Sequence, residues 1–257
     1  MTILDTIAAH AKVRVANDKK ILPLEVMKEM IQGQGAGNKF VEALKKPGIS
    51  FICEIKKASP SKGIIAENFP YRVIAQEYEA AGAEAISCLT EPKWFLGSDE
   101  IFKAVRSLVI TPMLRKDFTV DPYQIYQARL LGANAVLLIT SLMDTKSLYN
   151  YLELCDELGL AALVETHDEK EIVQALSAGA QIIGVNNRNL KDFSVDINNS
   201  KRLREIVGTK AIYVAESGIK TAEDVAELKN DGVDAVLIGE TLMRAKDKKA
   251  MLQELRG

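Results

Sequence analysis

Acids, bases and amides recur at the ends of short apolar runs in this 257-residue chain: Glu54 and Lys56, Lys116, Glu165, Asn186 with Arg188, and Glu216. An ionisable group in such a place is costly unless it is paired or used. Any one of them reads equally well as a buried ion pair or a solvated strand end. As a ring of alternating acids and bases they suit proton transfer, because opposite charges and partial burial tune groups for that task. Glu54 and Lys56 lie two residues apart, so they project from one side of a strand together with Ile52. Other polar residues share these run ends: Thr90, Glu91, Arg115, Asp117, His167 and Asn187. Two ends carry glycine instead, SGI at 217–219 and IGE at 238–240. Bare backbone amides there suit close approach to an anion, and a phosphate seat is the expected use.

The elements that must position these groups follow from an internal repeat. Four segments share a helix end, a glycine and an apolar run: 81–91, 131–141, 178–188 and 231–240, with Gly82, Gly132, Gly179 and Gly232 as helix terminators. Midway between them lie further strand-like runs at 49–56, 109–118, 160–167 and 211–218. Interleaving gives eight strands. Helical patterns occupy intervals such as 71–82, 122–132, 169–179 and 221–232, with Asp121 and Thr221 as N-caps and Pro122 at a first helical position. Unbroken apolar strands alternating with helices imply a parallel sheet covered by those helices. An open doubly wound sheet is the alternative. The regular repeat, with no switch in pattern, favours an α/β fold of the (β/α)8 TIM-barrel type with an N-terminal helical extension. In a barrel the chemistry sits at the carboxyl ends of the strands, and loops after the seventh and eighth strands seat phosphate.

We read residues 1–257 as one barrel domain, of which 1–48 form the extension, too small to own a core. It contains helical patterns at its start and at LEVMKEMI, a G-x-G-x-G at 33–37 that reads as a turn, and KFVEALKKPG. Apolar residues at 47%, charged residues at 26% and a net charge of −2 are ordinary for a globular enzyme and give no electrostatic case for nucleic acid or an anionic membrane. An anionic substrate therefore needs a local basic pocket. Cys53, Cys88 and Cys155 are odd in number and irregularly spaced, which fits reduced, structural thiols in a cytoplasmic protein. Asp5 interrupts what a secretory signal would keep apolar, and no run is long enough to span a membrane. His10 and His167 have no partners at metal-ligand spacing, so no metal is expected. Asn198-Asn199-Ser200 matches a glycosylation sequon by chance in such a setting.

The ordered motifs CEIKKASPSKG (53–63), LTEPKWFLGS (89–98), LRKDF (114–118), LVETH (163–167), IGVNNRNL (183–190), VAESGI (214–219) and VLIGETLMR (236–244) resemble the indole-3-glycerol phosphate synthase family. The resemblance runs from the first strand to the last. One departure is Thr241, where other members often carry Ser. The resemblance implies ring closure, decarboxylation and dehydration of 1-(2-carboxyphenylamino)-1-deoxyribulose 5-phosphate, a step of tryptophan biosynthesis, with no cofactor. It implies Lys116 as general acid on the ketone oxygen and Glu165 as base or proton partner in the later steps. Glu54 and Lys56 would be the pair on the first strand, with Lys56 binding anion and assisting dehydration. Asn186 and Arg188 would hold substrate near its carboxylate and hydroxyls, with Ser59 and Glu216 also on substrate. Phe95, Phe118 and Leu137 would wall the aromatic ring. Lys56, Ser217, Gly218, Gly239 and the Glu240 amide would cradle the phosphate. The partner expected is this small sugar phosphate alone, bound by a monomer or at most a weak dimer. The small, polar, basic loop at 57–63 is expected to close over the phosphate.

Other readings stay open on the residues themselves. Lys56 or Lys116 would also serve as the nucleophile of a Schiff-base aldolase. The same seat would suit a sugar-phosphate isomerase, or a barrel kept only for binding, although a binder has no need of paired proton donors.

Overall fold

The computed structural model describes residues 2–33 and 39–257. Gly35 and Gly37 of the expected turn lie outside the described residues. Eight parallel strands close into a barrel: β1 (Ser50–Ile55), β4 (Ala85–Leu89), β5 (Met113–Lys116), β6 (Ala135–Ile139), β7 (Ala161–Thr166), β8 (Ile182–Asn186), β9 (Ile212–Glu216) and β10 (Ala235–Ile238). Neighbours follow chain order, and β1 closes the ring by pairing with β10. A two-stranded antiparallel hairpin, β2 (Ala58–Ser59) and β3 (Gly63–Ile64), grows from the first loop.

Both faces of the barrel strands are buried, and successive residues enter two different cores. Phe51, Cys53, Ile86, Cys88, Val136, Leu138, Val164, Ile183, Val185, Tyr213 and Val236 point outward into a core shared with the helices. Those helices are α4 (Tyr71–Ala80), α5 (Asp99–Arg106), α6 (Tyr123–Leu130), α7 (Thr145–Glu157), α8 (Glu169–Ser177), α9 (Asn198–Val207), α10 (Ala222–Asn230), the short α11 (Glu240–Arg244) and α12 (Lys248–Arg256). Tyr78, Phe102, Ile125, Leu148, Ile172, Leu203, Leu228 and Leu252 carry their side of this layer. Full burial of one such side chain contributes roughly 1.5–3 kcal/mol. The other parity, Ile52, Leu114, Leu137, Leu163, Ile182, Val214 and Leu237, fills the barrel interior.

The extension comprises α1 (Ile3–Ile21), α2 (Leu24–Ile31) and α3 (Lys39–Leu44). Met27 and Val15 pack on Tyr123 at the side of the barrel. Phe40, Val41 and Leu44 of α3 join the interior cluster with Ala85, Ala135, Ala161 and Ala235. Each of these alanines is the first residue of its strand, so small side chains leave room for α3 at the amino end of the barrel. Among the described residues, no helix is long and apolar enough to cross a membrane.

Gly82, Gly132, Gly179 and Gly232 all adopt left-handed φ of 79–88° directly after their helices, as the repeat requires. Thr221 caps α10 in a reciprocal capping box with Asp224. Asp121 accepts from the Tyr123 amide at 2.9 Å, while Pro122, at φ −53°, takes the cap position one residue later than expected. The run at 109–118 forms strand only from Met113. Pro112 has no N–H to donate, and the Ile110 and Thr111 amides are held in a turn by the Glu79 carboxylate at 2.6 and 2.8 Å.

Candidate active site

The inward parity of the strands continues past their apolar stretch. Ile52 is followed by Glu54 and Lys56, Leu114 by Lys116, Leu163 by Glu165, Ile182 by Gly184 and Asn186, Val214 by Glu216, and Leu237 by Gly239. Period-two alternation therefore delivers this polar set to the carboxyl mouth of the barrel. All of them except Gly184 line one cavity of about 650 Å³. Ser59, Phe95, Phe118, Leu137, Arg188, Ser217, Gly218 and Glu240 line it too, so every residue expected in the site converges on a common space.

Lys116 is the centre. Its Nζ lies 2.5 Å from Glu216 Oε2 and 3.4 Å from Glu165 Oε2. Glu54 pairs instead with Lys56. Burial opposes the charge of Lys116, yet the carboxylates of Glu216, Glu165 and Glu54 outweigh it and hold the ammonium above the ordinary lysine value. One ammonium cannot keep every carboxylate near it ionised, and the two it contacts respond differently. Burial lifts Glu216 to about 7, with Glu165 and Glu54 adding to the rise against the pull of Lys116. Its Oε1 is buried without a partner. Burial also works to raise Glu165, but Lys116, His167 and Asn186 prevail and hold it below the ordinary carboxylate range. The Asn186 amide donates to Glu165 Oε1 at 3.2 Å.

Two glycines make room for these charges. A Cβ on Gly184 would overlap Glu216 Oε1, and one on Gly239 would meet the carboxylate of Glu54 and the ammonium of Lys56. Beyond them lies the expected anion seat. Ser217 and Gly218 take left-handed φ of 70° and 89°, with the Asn187 amide donating to the Ser217 carbonyl at 3.1 Å. The Thr241 hydroxyl ties the last two loops together by donating to the Ile219 carbonyl at 2.7 Å. The departure to Thr at this position keeps the hydroxyl that does so. Glu240 turns its side chain towards Arg244 at 3.1 Å and Lys62 at 3.7 Å. The rings of Phe95 and Phe118, which also line the cavity, pack at a tilt of 43° with 5.9 Å between centroids. Arg188 donates its amide to Asn186 Oδ1 at 3.0 Å and its guanidinium to the Phe193 carbonyl at 3.2 Å.

Several other strand-end polar residues shape the site. Glu91 accepts from the amides of Lys93, Trp94 and Phe95 at 2.7–3.0 Å and so shapes the loop that presents Phe95. Asp117 takes the Thr90 hydroxyl and the Arg14 guanidinium, each at 2.6 Å. Arg115 reaches Asp99 at 2.9 Å outside the barrel. Sequence reasoning missed Lys62, Lys220 and Arg244, which also line the cavity, and Ile3, Leu4 and Ile7 of α1, which cover part of its mouth. The helical pattern at the start of the chain carries no local signal of which surface that helix covers. The hairpin orders the loop at 57–63, and the Lys57 carbonyl accepts from the Ile65 amide at 2.8 Å.

Fold and site together define a (β/α)8-barrel enzyme, with acid–base groups gathered around one largely buried ammonium and glycine-bearing loops facing them. Residues 4–255 match the family model described as indole-3-glycerol phosphate synthase. The indole-3-glycerol phosphate synthase of Ruminiclostridium cellulolyticum is 56% identical, covering 99% of both chains. That of Lachnoclostridium phytofermentans is 52% identical over 99% of this chain and 98% of its own. The chain belongs to the indole-3-glycerol phosphate synthase family, and its activity is the one for which that family is named. Among solved structures, a 3-hexulose-6-phosphate synthase aligns with a TM-score of 0.64 at 16% identity, covering 81% of this chain and 98% of its own. KGPDC from Streptococcus mutans aligns at 0.63 and 11%, covering 81% and 95%. These two share the fold alone.

Proposed function

We propose that Lys116, Glu165 and the residues around them carry out ring closure, decarboxylation and dehydration of 1-(2-carboxyphenylamino)-1-deoxyribulose 5-phosphate. The observation that carries this assignment is the contact of Lys116 with both Glu165 and Glu216 inside the cavity. The phosphate sits on the amides of Ser217, Gly218, Gly239 and Glu240, helped by the Lys56 ammonium. Phe95, Phe118 and Leu137 wall the aromatic ring, and Arg188 and Ser59 hold its carboxylate and the sugar hydroxyls.

Attack of the ring carbon on the ketone develops negative charge on the ketone oxygen. Lys116 donates its proton there. Its neighbouring carboxylates keep it charged at neutral pH, so the donor is always loaded, and the alkoxide it meets is a stronger base than the amine left behind. Loss of CO2 returns the bonding electrons to the ring. Expulsion of the hydroxyl as water then completes the indole, with Lys56 assisting departure and Glu165 taking the proton released. A Glu165 held below the ordinary carboxylate range is ionised and ready for that proton. Glu216, balanced near neutrality, exchanges a proton with Lys116 between steps. Glu54 holds Lys56 in the absence of phosphate.

The absence of a membrane-crossing helix among the described residues and three buried free cysteines support a cytoplasmic setting. The test is direct. Purified protein incubated with the carboxyphenylamino sugar phosphate should release CO2 and develop indole fluorescence. Covalent trapping of a lysine by borohydride in place of an indole product would overturn the assignment in favour of a Schiff-base enzyme.

A further inference from the structure

We propose that His167 is a positioning residue for the reaction: its imidazole, clamped by Glu171, fixes the carboxylate of Glu165 from behind. His167 does not line the cavity. It follows β7 on the inward parity of Leu163 and Glu165 and leads into α8. Glu171, in the first turn of α8, accepts from the His167 backbone amide at 2.8 Å and contacts ring Nδ1 at 3.0 Å through the same oxygen. The Asn199 side chain of α9 donates to the His167 carbonyl at 3.2 Å. Backbone and ring are thus both held, and Nε2 is left facing Glu165 Oε1 at 3.5 Å. That nitrogen is buried and makes no hydrogen bond of its own.

The geometry selects the charged ring. A neutral imidazole that gives its Nδ1 proton to Glu171 turns a lone pair towards a carboxylate, which repels. An imidazolium turns an N–H towards it, which attracts. The charged groups facing the ring are Glu171 from α8, Glu165 from β7 and Glu216 from β9, with Lys116 of β5 on the far side of Glu165. Burial works against the charge, but these carboxylates prevail and raise His167 above the ordinary histidine value. Glu165 then has Asn186 and His167 on Oε1 and Lys116 on Oε2. A gap of 3.5 Å is loose for a hydrogen bond, and such contacts tighten when substrate closes a site.

This inference rests on Glu165 being the base. With His167 charged, Glu165 is held ionised. Losing that cation raises the Glu165 pKa, so the acid limb of kcat moves to higher pH. His167→Asn keeps a group near Glu171 but removes the donor to Glu165, whereas His167→Gln restores a neutral donor at about the Nε2 position. His167→Asn should lower kcat by roughly ten- to hundredfold, as misplacement of a reacting group does, with KM nearly unchanged and the acid limb moved up. His167→Gln should recover part of kcat. Because the chain has only two histidines, NMR titration of the folded protein reads His167 directly. Its pKa should fall in both Glu165→Gln and Glu171→Gln. A His167 titration unmoved by Glu165→Gln, or a His167→Asn variant with a wild-type pH profile, would overturn the proposal while leaving an inactive Glu165→Gln to support the base assignment. Wild-type turnover in Glu165→Gln would overturn both. Should His167→Asn fail to fold, the titrations in the two glutamine variants still decide.

Discussion

Gly184 of β8 and Glu216 of β9 share one place in the barrel: any Cβ at position 184 would stand where Glu216 Oε1 lies, and would press on Leu163 at 3.2 Å. Glycine weakens a strand interior and is kept there for close approach. Here it admits the carboxylate that contacts Lys116. Gly184→Ala should therefore cost about 1–3 kcal/mol, the range for overpacking, and should reduce kcat more than it raises KM. Denaturant melts and steady-state kinetics on the same preparation check this.

Lys116→Met removes the proton donor and leaves the anion seat intact. We expect kcat to fall by roughly 10²–10⁴, the usual worth of a positioned acid, while a phosphate-bearing product analogue still binds. The variant also leaves Glu165 and Glu216 without their ammonium. Its stability relative to wild type should drop as pH rises from acid to neutral, because the buried carboxylates then ionise unpaired. Equal activity in wild type and variant would end the assignment of Lys116.

Glu216 gives a pH signature of the opposite kind to an ordinary buried ion-paired acid. Its carboxyl is lifted from 4.5 to about 7, mainly by burial. The folded state therefore retains a proton that the unfolded chain has already released. This contribution to stability is full below pH 4.5, declines as pH rises towards 7 and is flat above it. Glutamine stays neutral in both states. The melting-temperature difference, Glu216→Gln minus wild type, should grow between those two pH values and then level. A difference constant with pH would mean that Glu216 titrates like a free carboxylate.

Arg14 fastens α1 to the site by meeting Asp117, next to Lys116, at 2.6 Å. Asp117 is buried, and besides Arg14 it meets the Thr90 hydroxyl at 2.6 Å, the Phe118 amide at 2.8 Å and Arg115 at 3.7 Å. Arg14→Ala should destabilise by about 1–3 kcal/mol, the cost of an under-satisfied buried group. Because Ile3, Leu4 and Ile7 of the same helix cover the cavity, KM should rise as well. Thermal melts together with substrate titration separate the two effects.

Gly239→Ala would push a methyl group into the Glu54–Lys56 pair. Affinity for inorganic phosphate, measured calorimetrically, should fall, and KM should rise with a smaller change in kcat.

The barrel was legible because its evidence is periodic. Glycine after each of four helices and apolar runs at a regular interval leave few ways to fold, and the inward parity of Ile52, Leu114, Leu163 and Val214 carries on to Glu54, Lys116, Glu165 and Glu216 without any knowledge of contacts. The motifs around these residues carried the family resemblance with them. The short β5 was harder to read, because Pro112 and the reach of Glu79 over 31 residues decide where it begins. Glu91, Asp117 and Asn187 read as rim polar groups, yet each is committed to holding a loop.

By itself the sequence determined the strand and helix order, the side of each strand that faces inward and the residue types delivered to the mouth. Those depend on local periodicity, which is encoded within ten or so residues. Only the tertiary structure decided that Lys116 contacts Glu216 rather than Glu54, that His167 stands behind Glu165, and that the start of α1 lines the cavity. Partner choice among like charges depends on strand stagger, on space such as that left by Gly184, and on how far burial raises the cost of each charge. None of these is a property of a short stretch of chain.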